Sequence, residues 1–144
     1  MKPKILIVTS RYYKDFSENL ESHCKNVLDN KSKYKLISVP GIFEIPVVIS
    51  KYINKYDGFI ALGCVIKGET PHFDFISKSA TDAIMNLSVH YKKPIGNGII
   101  TCLNKNQALV RSRKKGQESA NAVLEVLNIF KWLINIKEKI ILEL

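Results

Sequence analysis

Four times along this chain a short, unbroken apolar run gives way to a longer segment whose apolar residues return at three- and four-residue intervals. The first run, Ile5-Leu6-Ile7-Val8 within residues 4–9, reads as a strand, and Ser10-Arg11-Tyr12 as the turn that leaves it. Phe16, Leu20, Cys24, Val27 and Leu28 then predict a helix through Asn30. Residues 35–39 read as the second strand, closed by Pro40-Gly41. Pro46 can open the next helix, because its missing N–H would be unpaired in the first turn anyway, and Val47-Val48-Ile49 with Tyr52-Ile53 supply the buried side. The third strand runs from the Asp57-Gly58 turn to Cys64; the helix after it starts near Phe73, with Ile76, Ala80, Ala83, Ile84 and Leu87 on one side. Residues 95–103 read as the fourth strand, although Gly96-Asn97-Gly98 alone is a hairpin signal. Asn104 suits the N-cap of a short helix through Arg111, and a long helix is expected from about Gln117 to near the end.

Strands apolar at every position belong in sheets covered on both faces. Four strand–helix units in series therefore predict an α/β fold, a three-layer α/β/α sandwich around a four-stranded parallel sheet with right-handed crossovers. Residues 1–144 are expected to form a single domain, without internal repeat or linker. The last helix departs from the one-stripe pattern, since Val123, Leu124, Leu127, Ile129, Phe130, Trp132, Leu133, Ile134 and Ile136 surround it. A chain of this size cannot easily cover them all, so part of that surface is expected to pack against another subunit.

Composition narrows the class without naming it. Hydrophobic residues make up 46% and charged residues 24%, as in a chain that folds throughout. No segment approaches the ~20 apolar residues of a membrane span, and the apolar part of the N-terminus is too short for a signal peptide; a cytoplasmic location is expected. Cys24, Cys64 and Cys102 are far apart and without Cys-x-x-Cys spacing, so reduced, buried thiols are expected, with neither a disulfide framework nor a zinc site. A net charge of +9 favours anionic partners of some kind. The densest cluster, Arg111-Ser112-Arg113-Lys114-Lys115, is short enough to be a solvated face.

Ligands of parallel sheets bind beyond the carboxyl ends of the strands, so the four loops there are the places to read for chemistry. After strand one, Tyr12 or Tyr13 offers a ring that can stack on a flat heterocycle or simply pack. After strand two, Glu44 is the only charge in Pro40-Gly41-Ile42-Phe43-Glu44-Ile45-Pro46 and needs hydrogen-bond donors, supplied by the following helix N-terminus or by ligand hydroxyls. After strand three, Gly68-Glu69-Thr70 can present N–H groups and a hydroxyl to an anion, and His72 brings a residue type that titrates near neutrality. His23 and His90, within or at the ends of helices, are read as solvated. After strand four, Arg111 and Lys115 can hold a phosphate.

These residues resemble the lumazine synthase family. Val39-Pro40-Gly41-x-Phe43-Glu44-Ile45-Pro46 is similar to that family's ribityl-binding loop, and Ala61-Leu62-Gly63-Cys64-Val65-Ile66-x-Gly68-x-Thr70-Pro71-His72-Phe73-Asp74 to its catalytic segment. Gly98-Ile99-Ile100-Thr101, Asn104, Gln107-Ala108, Arg111 and Lys115-Gly116 follow in the expected order. The resemblance implies a lumazine synthase-like fold of flavodoxin-like topology. It also implies condensation of 5-amino-6-(D-ribitylamino)uracil with 3,4-dihydroxy-2-butanone 4-phosphate to 6,7-dimethyl-8-ribityllumazine, phosphate and water, without metal or organic cofactor. Carried over by position, Tyr12 stacks on the pyrimidine, Ile42, Phe43 and Glu44 hold the ribityl chain, and Cys64, Val65 and Ile66 bind the uracil edge mainly through backbone groups. Glu69 and Thr70 with Arg111 bind the phosphate, Lys115 assists, and His72 is the general acid–base. The family forms pentamers with active sites between neighbouring subunits, so a homopentamer or an assembly of pentamers is implied.

Two positions depart from the family pattern. Asn97 stands where many members carry Phe over the ring, leaving its backbone to bind the uracil, and the segment between Arg111 and Lys115 is shorter than usual. The rival readings are a riboflavin synthase of the same fold, a non-catalytic flavin-binding shell protein, and a basic nucleic-acid-binding protein. Against the last, no recognised RNA- or DNA-binding motif and no basic stripe interleaved with aromatics is present.

Overall fold

A computed structural model of the chain describes residues 1–68 and 72–144. Four strands, β1 (Lys4–Ser10), β2 (Lys33–Val39), β3 (Gly58–Ile66) and β4 (Ile95–Cys102), alternate with four helices, α1 (Lys14–Leu28), α2 (Ile45–Tyr52), α3 (His72–Tyr91) and α4 (Lys105–Glu143). A single 3-10 turn, Ile42–Glu44, leads into α2. All strand pairs are parallel and the order across the sheet is β2-β1-β3-β4. The chain moves one way from β1 to β2, then reverses past β1 to β3 and β4. With crossovers of one hand, that reversal puts α1 on one face and α2 and α3 on the other.

The two cores follow this division. Ile5, Ile7, Ile60, Leu62, Cys64, Ile100 and Cys102 point to the face where Leu20, Cys24 and Leu28 of α1 meet Ala108, Ala120 and Val123 of α4. Leu6, Val8, Phe59, Ala61, Val65 and Ile99 point to the opposite face, against Ile45, Ile49, Ala80 and Ile84 of α2 and α3. β3, between β1 and β4, is buried from Gly58 to Val65, which explains its unbroken apolar run.

The expected break after Arg111 does not exist. α4 runs without interruption for 39 residues, capped by Asn104, whose side-chain oxygen accepts from Gln107 N–H at 2.9 Å. Gly116 lies inside this helix and has no positive φ. Its role is close packing instead: an added Cβ would lie 2.5 Å from the Leu20 carbonyl oxygen and 3.1 Å from His23 Cβ. Gly96 likewise marks close packing in a strand and not a hairpin, because a side chain there would collide with the Ser119 carbonyl of α4.

Candidate active site

Where strand order reverses, the loops after neighbouring strands leave on opposite faces and a crevice opens between them. Here the reversal lies between β1 and β3, and a cleft of about 590 Å³ sits at their carboxyl ends. Tyr12 and Tyr13 line it from the end of β1, Gly41, Ile42, Phe43 and Glu44 from the loop after β2, Cys64, Val65 and Ile66 from the end of β3, and His72, Phe75, Ile76 and Ser79 from α3. Its volume is in the range of small-ligand sites.

Each wall is held by identifiable bonds. Arg11 N–H donates to the Val39 carbonyl at 3.2 Å, and the Ser17 hydroxyl donates to the Ser10 carbonyl, so the turn carrying Tyr12 is tied to β2 and α1 together. The Arg11 guanidinium grips buried Glu21 through Nε and Nη2, both at 3.3 Å. Tyr13 meets Tyr12 edge to face with centroids 5.0 Å apart, and burial pushes its phenol pKa upward. Gly63 leaves the space that Ile42 occupies, since a Cβ there would strike the Ile42 side chain.

Register leaves the backbone at the cleft floor beyond the ladder with β1. β1 pairs with β3 only as far as Thr9 opposite Leu62, whereas β3 continues to Ile66 with β4 on its other side. Residues 63–66 therefore extend beyond β1 with one backbone edge turned toward the cleft. A strand edge of N–H and C=O groups is suited to a flat heterocycle that carries its own donors and acceptors. The Cys64 thiol is unsuited to nucleophilic work, because burial, with Cys102 beside it, raises its pKa to about 12.

Glu44 occupies the N-cap position of α2, yet its side chain makes no capping hydrogen bond. Its carboxylate lies over Gly41, where an added Cβ would be 3.2 Å from Oε2. Of the two roles open to this residue, helix capping by its side chain is not made here. His72 stands at the first position of α3, exposed at the cleft mouth.

Arg111, Lys115 and Asn97 lie elsewhere. Arg111 and Lys115 line a second hollow of about 340 Å³ between β4 and α4, with Thr101, Lys114 and Glu118. Arg111 Nη1 donates to the Thr101 carbonyl at 2.8 Å. Asn97 is exposed on β4, its side-chain oxygen accepting from Ile99 N–H at 3.1 Å. Glu69 and Thr70, the other expected phosphate ligands, lie outside the described residues. His90 is exposed as expected, whereas His23 is half-buried, its Nδ1 2.8 Å from the Asn19 carbonyl.

Sequence reading left Tyr12 and Tyr13 both open as the ring, the resemblance carried over Tyr12 alone, and Phe75 and Ser79 were missed. The spacing of His72, Phe75, Ile76 and Ser79, at intervals of three and four, was the available signal: it puts them on one face of a helix that begins at the histidine.

A doubly wound α/β sheet with an aromatic ring, a carboxylate, an open strand edge and a histidine converging at its switch point defines an enzyme site for a small, flat ligand. Residues 2–131 match the family model for 6,7-dimethyl-8-ribityllumazine synthase. Proteins of that name from Agrobacterium fabrum and Bartonella bacilliformis are 41% and 39% identical, over 92% and 91% of this chain and 97% and 92% of theirs. Another of that name, from Bdellovibrio bacteriovorus, is 35% identical over 89% of this chain and 75% of its own length. The chain belongs to the 6,7-dimethyl-8-ribityllumazine synthase family.

Proposed function

We propose that this chain, a transferase of riboflavin biosynthesis by its family, works as one domain over residues 1–144 in which the switch-point cleft binds the ribitylaminouracil and a neighbouring subunit adds Arg111 and Lys115 to the phosphate site. The observation that carries the reading is the convergence of Tyr12, Glu44, residues 64–66 and His72 on one cleft, each from a different element. Tyr12 stacks on the pyrimidine. Glu44 accepts hydrogen bonds from ribityl hydroxyls, with Ile42 and Phe43 along the chain. The backbone of Cys64, Val65 and Ile66 reads the uracil edge, and Asn97 contributes through its own backbone.

The reaction joins an amine to a ketone, expels phosphate and closes a ring. Each step moves a proton, and His72 at the cleft mouth takes that role. Glu69, Thr70, Arg111 and Lys115 hold the phosphate, where cationic donors offset charge growing on the leaving group. Holding two reactants that condense slowly in water in register supplies much of the remainder.

We infer a homopentamer, or an assembly of pentamers, as the family resemblance implies, and the open cleft supports an adjacent subunit. Arg111 and Lys115 line no part of their own chain's cleft, and Tyr12, Phe43 and Phe75 are 74%, 68% and 68% exposed, so the cleft lacks a wall that an adjacent subunit can provide. We place the protein in the cytoplasm; among the described residues no helix is long and apolar enough to cross a membrane, and the three cysteines are unpaired and buried. The riboflavin synthase, flavin-shell and nucleic-acid readings have no counterpart in the names of these relatives.

The direct test mixes the protein with the ribitylaminouracil and the butanone phosphate and follows lumazine absorbance against the uncatalysed rate. Acceleration that Arg111→Ala abolishes supports the reading. A folded, oligomeric protein that gives no acceleration refutes it.

A further inference from the structure

α4 runs opposite to the strands: it starts after the carboxyl end of β4, and by Val123 and Leu127 it is beside Gly58, the amino end of β3. Leu127 is half-buried, and all but one of residues 128–144 are exposed. At 1.5 Å per residue, residues 128–143 extend the helix roughly 24 Å past the sheet, at the end away from the cleft. The match to the family ends at residue 131, so most of this projection is additional to the shared fold.

A lone projecting helix has poor reason to persist. Isolated segments of this length are marginal in water, and five isoleucines, Ile129, Ile134, Ile136, Ile140 and Ile141, are weaker helix formers than straight-chain residues. The tail cannot fold back on its own body while it stays helical, since no glycine or proline follows Gly116. Its surface is nevertheless organised. Val126, Ile129, Leu133, Ile136 and Ile140 recur at intervals of three and four as one seam. Phe130, Ile134 and Ile141 form a second, in line with the buried side of the preceding turns, and Asn128, Lys131, Asn135, Glu138 and Lys139 gather on the remaining side.

We propose that this tail, residues 127–144, holds copies of the chain together by packing seam to seam with the same tail of a second copy. The pattern at three- and four-residue intervals is the one that lets two like helices interlock side chains. Six large apolar side chains on the two adjoining seams, Ile129, Phe130, Leu133, Ile134, Ile140 and Ile141, are each more than a third exposed. At roughly 60–120 Å² each, they offer on the order of 500 Å² per copy, near the lower end of one partner's share of a stable interface. Charge points away from a lipid surface: Lys131, Lys137 and Lys139 face Glu138 and Glu143 in near balance, without the basic excess of an interfacial helix. The contact is independent of the synthase reading, because it lies at the other end of the sheet.

The test uses the full chain. Leu133→Glu with Ile140→Glu should at least halve the mass found by sedimentation while the helical circular dichroism persists. Ile136→Cys, on the seam, should form inter-chain disulfides under mild oxidation and Glu138→Cys, on the polar side, should not; Cys24, Cys64 and Cys102 are buried and silent. An unchanged mass, or equal cross-linking at both positions, overturns the proposal. So does wild-type binding to phosphatidylglycerol vesicles that the double variant loses without change of mass.

Discussion

The Arg111 guanidinium donates to the Thr101 carbonyl at 2.8 Å, and this bond holds the cation at the carboxyl end of β4, outside the cleft that His72 lines. On the proposed reading, Arg111 and His72 serve one reaction from neighbouring subunits. Arg111→Ala is therefore expected to raise KM for the phosphate substrate and to lower kcat/KM by about 10²–10³, the usual loss for one donor on a developing charge. Oligomers co-assembled from Arg111→Ala and His72→Ala chains should regain part of the activity that each variant lacks alone. Failure of every mixture to exceed its parents would show that no site is shared.

His72→Ala should lower kcat by about 10²–10⁴, the span of general acid–base contributions, and leave binding of the uracil substrate nearly unchanged. Single-turnover kinetics with a separate binding titration check the split. A fall in uracil affinity as large as the fall in rate would make His72 a binding residue.

Tyr12 is 74% exposed, so its ring has an open face despite the contact with Tyr13. Tyr12→Phe should keep ligand affinity, whereas Tyr12→Ala should weaken it about tenfold or more, in line with ~1–3 kcal/mol for a stacked base. Calorimetry with the ribitylaminouracil reads this directly. Equal affinities for the Phe and Ala variants would remove stacking from the account.

Gly116→Ala sets two effects against each other. Alanine in a helix interior gains about 1 kcal/mol over glycine, but the new Cβ would sit 2.5 Å from the Leu20 carbonyl, and overpacking costs about 1–3 kcal/mol. The oxygen belongs to backbone that cannot swing aside, so net destabilisation is expected in denaturant unfolding.

Cys24 and Cys64 have pKa values pushed up by burial to about 12, from about 9 for an open thiol. In the folded chain both keep their protons where the unfolded chain would release them. Their contribution to stability is complete below about pH 9 and is lost as pH rises toward about 12. Cys24→Ala should flatten that alkaline decline, and unfolding curves at several pH values will show whether it does.

The four strands and the first three helices were legible, because buried parallel strands and one-sided helices leave different apolar spacings. β3 was the clearest case, with Phe59 through Leu62 wholly buried. The join across Gly116 was not legible, since a glycine that avoids a neighbouring carbonyl looks in sequence like one that ends a helix. The cleft was partly legible: motif residues from three loops do meet. Its backbone floor was not, because the overrun of β3 past Thr9 depends on strand order and register, which no local pattern records.

The contact at Gly116, with Ser119 against Gly96 and Val123 beside Gly58 further along, also aims the far end of α4. From there to Leu144 the helix is a lever of roughly 42 Å, without a joint. A tilt of about 5° at that pivot would swing its tip by about 4 Å, close to the width of a side chain. The missing methyl group at Gly116 thus contributes to the aim of the tail, on which the register of the proposed tail-to-tail contact depends.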